Sequence, residues 1–221
     1  TGWILPDGSI PEIPLEVYNF IIDLGSFKQR GYGVDDVRSV RNFNTGLSGT
    51  LQKCTCQSGV FRLAAKYLPG REPDLYARVL AEGLFVRSGD ALHVPTEPRD
   101  LRKPCLEFFM REAEKPDSVS AEIFRRVGEY LAITWKETQY ILRPASLSRA
   151  LFGRLVKTDA CFRLIDEGAK RIVPDIRQFA ADDALANSPL MRQLAAHPDY
   201  TIAQFAQAVG AIYFGCMGLG K

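Results

Sequence analysis

Apolar residues recur every three or four positions along most of this chain, and the longest such run lies at residues 118–142. There Ile123, Phe124, Val127, Leu131, Trp135 and Ile141 fall on one stripe, with Thr134 and Thr138 beside them. The spacing predicts an amphipathic helix. Pro116-Asp117-Ser118 suits its start, and Pro144 forbids its continuation, because proline lacks a backbone donor and biases the preceding residue away from helical geometry. The same periodicity predicts a helix over 58–68, through Val60, Leu63, Ala64, Tyr67 and Leu68, closed by Pro69-Gly70. Further helices are predicted at 73–83, 100–113, 159–172, 175–186, 188–196 and 201–214, the last through Ile202, Phe205, Val209, Ile212 and Tyr213.

Alternation replaces that period in a few places. Residues 17–24 are rich in β-branched and aromatic side chains, with Tyr18, Phe20, Ile22 and Leu24 on one face and Asn19 and Asp23 on the other. They predict a strand ending at Gly25. "SRALFG", residues 148–153, predicts a short buried strand ending on Gly153. "RSGDALHVPTEP" within 86–99 predicts an exposed turn or hairpin, and 28–50 a polar loop with a short helix at 34–40. Extended pieces first, helices in the middle and a strand followed by helices at the end imply an α/β class in a single domain. Gly153 then sits where a strand passes into a helix, a usual place for ligands in α/β sheets.

Composition narrows the partners. The 221 residues carry 28 basic and 26 acidic side chains, and a net charge of +2 sets up no field for nucleic acid or an anionic membrane. No run of about 18 apolar residues spans a bilayer, and residues 1–11 lack the regions of a signal peptide. A cytoplasmic protein is expected. Five cysteines in a chain this large suggest reduced thiols rather than a disulfide framework. The opening on Thr1 rather than Met suggests an excised domain or processed product.

Four segments then resemble one family. "IPLEVYNFIIDLGSF", "LQKCTCQSGVFRLAAKYL", "RRVGEYLAITWKETQYIL" and "RALFGRLVKTDACFRLIDEGAKRI" are similar, in order, to the large C-terminal lobe of hexokinase-type and ROK (repressor and kinase) sugar kinases of the actin-like ATPase superfamily. The resemblance implies a ribonuclease H-like lobe, with a mixed sheet and many helices, that binds ATP with Mg²⁺ and helps transfer phosphate to a sugar hydroxyl. The catalytic aspartate of the family belongs to an upstream N-terminal lobe, which these residues do not contain.

By resemblance, the nucleotide site takes in Gly153, which lets adenosine rest against bare backbone; Arg154, which stands where a second small residue is usual and either reaches a phosphate as a charged donor fork or obstructs the adenine pocket; and Thr1-Gly2, a remnant of the Gly-Thr-Gly phosphate loop. "DLGSF" matches the segment that holds sugar hydroxyls, which assigns Asp23 and Ser26 to the substrate. A carboxylate accepts two hydroxyl hydrogen bonds in one plane. The sequence departs from the family at Ile21, where asparagine is usual, and at Ala64, where a second sugar-binding glutamate is expected. Those departures leave open a degenerate, non-catalytic member that serves as a regulatory or protein-interaction module. "CTCQSG" is similar to the zinc cluster of the ROK branch, but Cys54 and Cys56 lack companion ligands, so no metal is assigned to the protein. His93 and His197 stand alone in proline-containing loops. The basic residues of "EIFRR" and "KRIVPDIR" lie on amphipathic helices as solvated faces.

Overall fold

A computed structural model describes residues 16–25, 31–144 and 148–180, with isolated positions outside them. Helix α1 (Leu51–Cys54) leads into α2 (Gln57–Arg71) and α3 (Pro73–Ala81). A hairpin of β1 (Val86–Ser88) and β2 (Ala91–His93) precedes α4 (Arg102–Glu112) and the long α5 (Val119–Leu142). The chain closes on β3 (Ser148–Leu151), α6 (Asp159–Ile172) and β4 (Arg177–Ala180). The class is mixed α/β with helices dominant. Among the described residues the strands form two separate pairs, β1–β2 antiparallel and β3–β4 parallel.

Helix α5 is the axis of the core. The Ser118 hydroxyl accepts from the Ala121 amide at 3.0 Å, and the Glu72 carboxylate accepts from the Val119 amide at 3.0 Å, so two orphan donors of its first turn are satisfied. Arg143 ends it in the left-handed conformation (φ 45°) ahead of Pro144. Ile123, Phe124 and Val127 are fully buried on the side of α2 and α4, where Phe61 of α2, Phe108 and Phe109 of α4 and Phe85, just ahead of β1, interlock with centroids 5.4–6.4 Å apart. These separations suit edge-to-face and tilted aromatic pairs.

Helices α5 and α6 touch backbone to backbone. A Cβ at Gly128 would stand 2.0 Å from the Ile165 carbonyl oxygen, and one at Gly168 would stand 1.8 Å from that of Arg125. Ion pairs flank the contact: Arg125 Nε lies 2.9 Å from Glu167, and Arg171 Nη1 lies 3.0 Å from Glu122 and 2.9 Å from Glu129. Thr158 caps α6, accepting from the Cys161 amide, while Asp159 opens the helix and Lys170 and Arg171 close it, as its dipole favours.

Several expected elements differ. Residues 175–186, predicted helical, contain β4 instead: Pro174 follows the end of α6, Ile176 is buried, and pairing with β3 satisfies the backbone in extended form. The strand expected over 17–24 begins as a 3-10 turn at Val17–Asn19, and among the described residues a single bridge joins it, at Ile21, to Thr50. Phe20 and Ile22 pack on the core, but Tyr18 and Leu24 are exposed, so the predicted face is only half used. Residues 34–40 are turns rather than helix, because the buried Asp36 carboxylate accepts from the Arg38 amide at 2.9 Å and its guanidinium at 2.8 Å, holding a local turn. Pro69 lies inside α2, which continues to Arg71; proline's φ is already helical, and so near the end it forfeits a single bond. Strand β3 is where it was expected, but its residues alternate between exposed and half-buried instead of being buried. The helices predicted at 188–196 and 201–214 lie outside the continuous described segments.

Gly128→Ala and Gly168→Ala each force backbone atoms apart, where no rotamer change can help. Each is expected to lower the free energy of unfolding by about 3 kcal/mol or more, read from the midpoint of chemical denaturation. A wild-type midpoint in both variants would refute the direct backbone contact.

Candidate functional site

The side chains with most chemistry gather around Asp23. Its carboxylate accepts the Tyr130 hydroxyl proton at 2.7 Å and the Gly25 amide at 3.2 Å, while the amides of Ile22 and Asp23 donate to the Gly49 carbonyl at 2.8 and 3.1 Å. Gly49 has φ +69°, and a Cβ there would lie 2.1 Å from the Asp23 carbonyl oxygen. Only glycine fits this position, on both counts. The turn that presents Gly49 is held from within. The Asn42 amide donates to Leu47 at 2.7 Å, its side-chain oxygen accepts from the amides of Asn44 and Thr45, and its side-chain nitrogen reaches Thr50 and Gln52.

Behind this loop stand two cations, Lys53 on α1 (7% exposed) and Arg62 on α2 (0% exposed). Burial pushes the neighbouring Cys54 thiol up to about 11; the Arg62 guanidinium pulls it back through charge and a hydrogen bond, and the Asp23 charge adds to the rise. Burial likewise holds the Lys53 ammonium below its ordinary range, reinforced by Arg62 and opposed by Asp35 and the nearby thiols. The arrangement can accept hydroxyl protons at Asp23 beside a buried positive potential. Burial holds the Cys54 thiol here, and that of Cys105 on α4, in the neutral form, so neither is an activated nucleophile.

Of the residues singled out from sequence, Asp23 lies in this cluster. Ser26, Thr1 and Gly2 lie outside the described residues. Ala64, where a second carboxylate was expected, is fully buried in the apolar core, so that position faces no ligand. Ile21 is half exposed beside Thr50. Gly153 follows β3 with φ +107° and ψ −179°, a region essentially confined to glycine. A Cβ there would meet nothing within 4 Å, so what demands glycine in this structure is the turn rather than a close neighbour. Arg154 begins the next turn with its guanidinium 3.9 Å from Glu107 on α4.

Gly153 and Asp23 share no sheet among the described residues: β3 pairs with β4, whereas the Asp23 segment bridges to Thr50. A surface cleft of about 360 Å³ lies elsewhere, lined by Lys136, Gln139, Tyr140, Ile172, Val173 and Pro174. Those residues sit at the C-terminal ends of α5 and α6, whereas Gly153 leads into the N-terminal end of α6. The 14 residues of that helix separate them by roughly 20 Å.

Sequence reasoning missed Tyr130, Lys53 and Arg62. Arg62 left one signal, a charge set between Phe61 and Leu63 in an otherwise apolar stretch. Cys54 is buried and Cys56 half-buried, both as free thiols. Among the described residues no group of three or more His, Cys, Asp or Glu converges to hold a metal, and no helix is long and apolar enough to cross a membrane. No protein-family model matches the chain, and neither does any curated protein or solved structure.

Lys53 yields a pH signature. Its folded-state pKa is depressed below the ordinary 10.5, so the unfolded chain binds this proton more tightly. The resulting penalty is fully present below the folded-state pKa and fades as pH rises to the unfolded value. Lys53→Met is therefore expected to raise the denaturation midpoint at pH 7, with a smaller gain near pH 10. A lower midpoint at pH 7 would mean that the ammonium stabilises the fold.

Proposed function

We propose that this chain is the nucleotide- and sugar-binding lobe of an ATP-dependent sugar kinase of the actin-like superfamily, completed by an upstream lobe that supplies the catalytic base. The observation that carries this reading is the parallel β3–α6–β4 unit, with a glycine-only turn at the carboxyl end of β3. In α/β units that end of a strand is where nucleotides dock, beside the N-terminus of the following helix. Gly153 leaves open space beside the backbone for an adenosine, and Arg154, half-exposed and only loosely paired with Glu107, is within reach of a phosphate. Asp23 supports the second half of the reading. Tyr130 donates to its carboxylate, an acceptor group of the kind that sugar hydroxyls bond to.

ATP supplies the transferable phosphoryl group, and Mg²⁺ arrives with it, held mostly by phosphate oxygens and water. The residues of this chain bind and orient. Phosphoryl transfer depends chiefly on positioning and electrostatics, so a lobe that fixes both reactants contributes directly to rate.

A second reading, a degenerate lobe that binds a ligand or partner without transferring phosphate, draws on Ala64. With that residue sealed in the core, Asp23 has no companion carboxylate from α2.

Calorimetry on the purified chain separates the two. The kinase reading expects heat from ATP–Mg²⁺, lost in Gly153→Val, and heat from at least one hexose, weakened about tenfold or more in Asp23→Asn. Circular dichroism checks that each variant is folded. Nucleotide binding without sugar binding favours the second reading, and the absence of both heats removes the kinase reading.

A further inference from the structure

The first turn of α2 carries donors that no acceptor takes up. Cys56 stands at its N-cap, where serine, threonine or aspartate would turn an oxygen back onto the helix, and its thiol makes no such bond. The Cys56 carbonyl accepts from the amides of Gly59 at 2.8 Å and Val60 at 3.2 Å, but the amides of Gln57 and Ser58 have no acceptor among the described residues. Both residues are half-buried. Gly59 presses this turn onto the end of α1, since a Cβ there would stand 2.3 Å from the Cys54 carbonyl oxygen and 3.0 Å from that of Lys53.

Lys53 is 7% exposed, yet its ammonium makes no hydrogen bond or ion pair among the described residues. Of the groups that act on its charge, the Cys56 thiol comes first, which sets the ammonium toward the open end of α2; Asp35 and Cys54 attract it less, and Arg62 repels it. Tyr18 belongs to the same corner. Burial and the Cys56 thiol hold its hydroxyl proton more firmly than usual, and that hydroxyl has no acceptor among the described residues. A buried cation without a counterion costs free energy, which a bound anion offsets. We propose that this corner binds the phosphate group of a small ligand, seated on the Gln57 and Ser58 amides over the Lys53 ammonium, with the Ser58 and Tyr18 hydroxyls at its rim. Helix N-termini suit anions because free amides and the helix dipole both point at the charge. Two amides, two hydroxyls and an ammonium are more donors than the two oxygens of a carboxylate can face, and they match the three free oxygens of a phosphate group. The inference does not rest on the kinase reading, because α2 is not the helix that follows Gly153.

Nitrogen-15 NMR on the intact chain tests it, with inorganic phosphate and glycerol phosphate as probes against potassium chloride at matched ionic strength. The Gln57 and Ser58 amide signals are expected to move saturably with phosphate and not with chloride. Lys53→Met removes an unpaired buried charge and so spares the fold; it is expected to weaken that binding at least tenfold. Gln57→Pro is expected to weaken it about fivefold, read at Ser58, through the loss of one donor. Proline suits the first helical position, and Cys56 before it is already extended (φ −110°, ψ 179°), so the helix is kept. The Ser58 response is expected to persist in Gly153→Val, which separates this test from that of the nucleotide site. Tighter binding of glycerol phosphate assigns the corner to a phosphorylated metabolite, and tighter binding of inorganic phosphate assigns it to the free ion. Signals that stay still, that move equally in chloride, or that are lost in Gly153→Val overturn the proposal, as does a phosphate affinity unchanged in both Lys53→Met and Gln57→Pro. Should Lys53→Met fail to fold, Gln57→Pro decides alone.

Discussion

The close approach of α5 and α6, where Gly128 faces the Ile165 carbonyl and Gly168 that of Arg125, is the constraint from which the rest of the C-terminal half follows. Two helices meet with carbonyl oxygens lodged where side chains would otherwise be, and that proximity brings Arg125 to Glu167 and Arg171 to both Glu122 and Glu129. The ion pairs are partly exposed, so they contribute less than the packing they surround. Once α6 is fixed along α5, the strands on either side of it are brought parallel. The turn at Gly153 is then held at one end of the unit and the Lys136–Pro174 cleft at the other.

The Asp23 cluster depends on a different element. Its carboxylate belongs to a loop, but its orientation comes from Tyr130 near the middle of the buried axis helix. Behind it, Lys53 and Arg62 place positive charge where water is excluded, at a desolvation cost visible in the depressed Lys53 pKa. The positive potential and the fixed acceptor together give this corner its chemical character.

Helices were legible in the sequence wherever one face is apolar and the ends are marked. Residues 159–172 and 118–142 carry caps and stripes that need no tertiary information, and α6 lies where periodicity puts it. Strands were less legible. Residues 17–24 and 177–180 owe their conformations to what lies beside them, the turn at Gly49 and the strand β3, and neither neighbour is adjacent in sequence. Asp23 was singled out because its acidic, Gly-containing context resembles a sugar-holding segment. Tyr130 was not, because it lies in the same long helix as many core residues, and its partner is 107 positions away. Position 64, where the resemblance expects a second sugar-binding glutamate, shows the converse: the apolar spacing of Val60, Leu63 and Ala64 already sets it on the inward face, and the packing buries it there.

The separation of Tyr130 from Asp23 also orders events in time. The Asn42–Thr50 bond closes a span of 8 residues, whereas the Tyr130–Asp23 bond closes 107, which carries about 2 kcal/mol more loop-closure entropy. Local turns form in microseconds or less, while a long-range bond must wait for the axis helix to dock. The carboxylate therefore acquires its final aim late in folding. A nascent chain released before α5 has emerged carries the acidic loop, but not the hydroxyl that orients it.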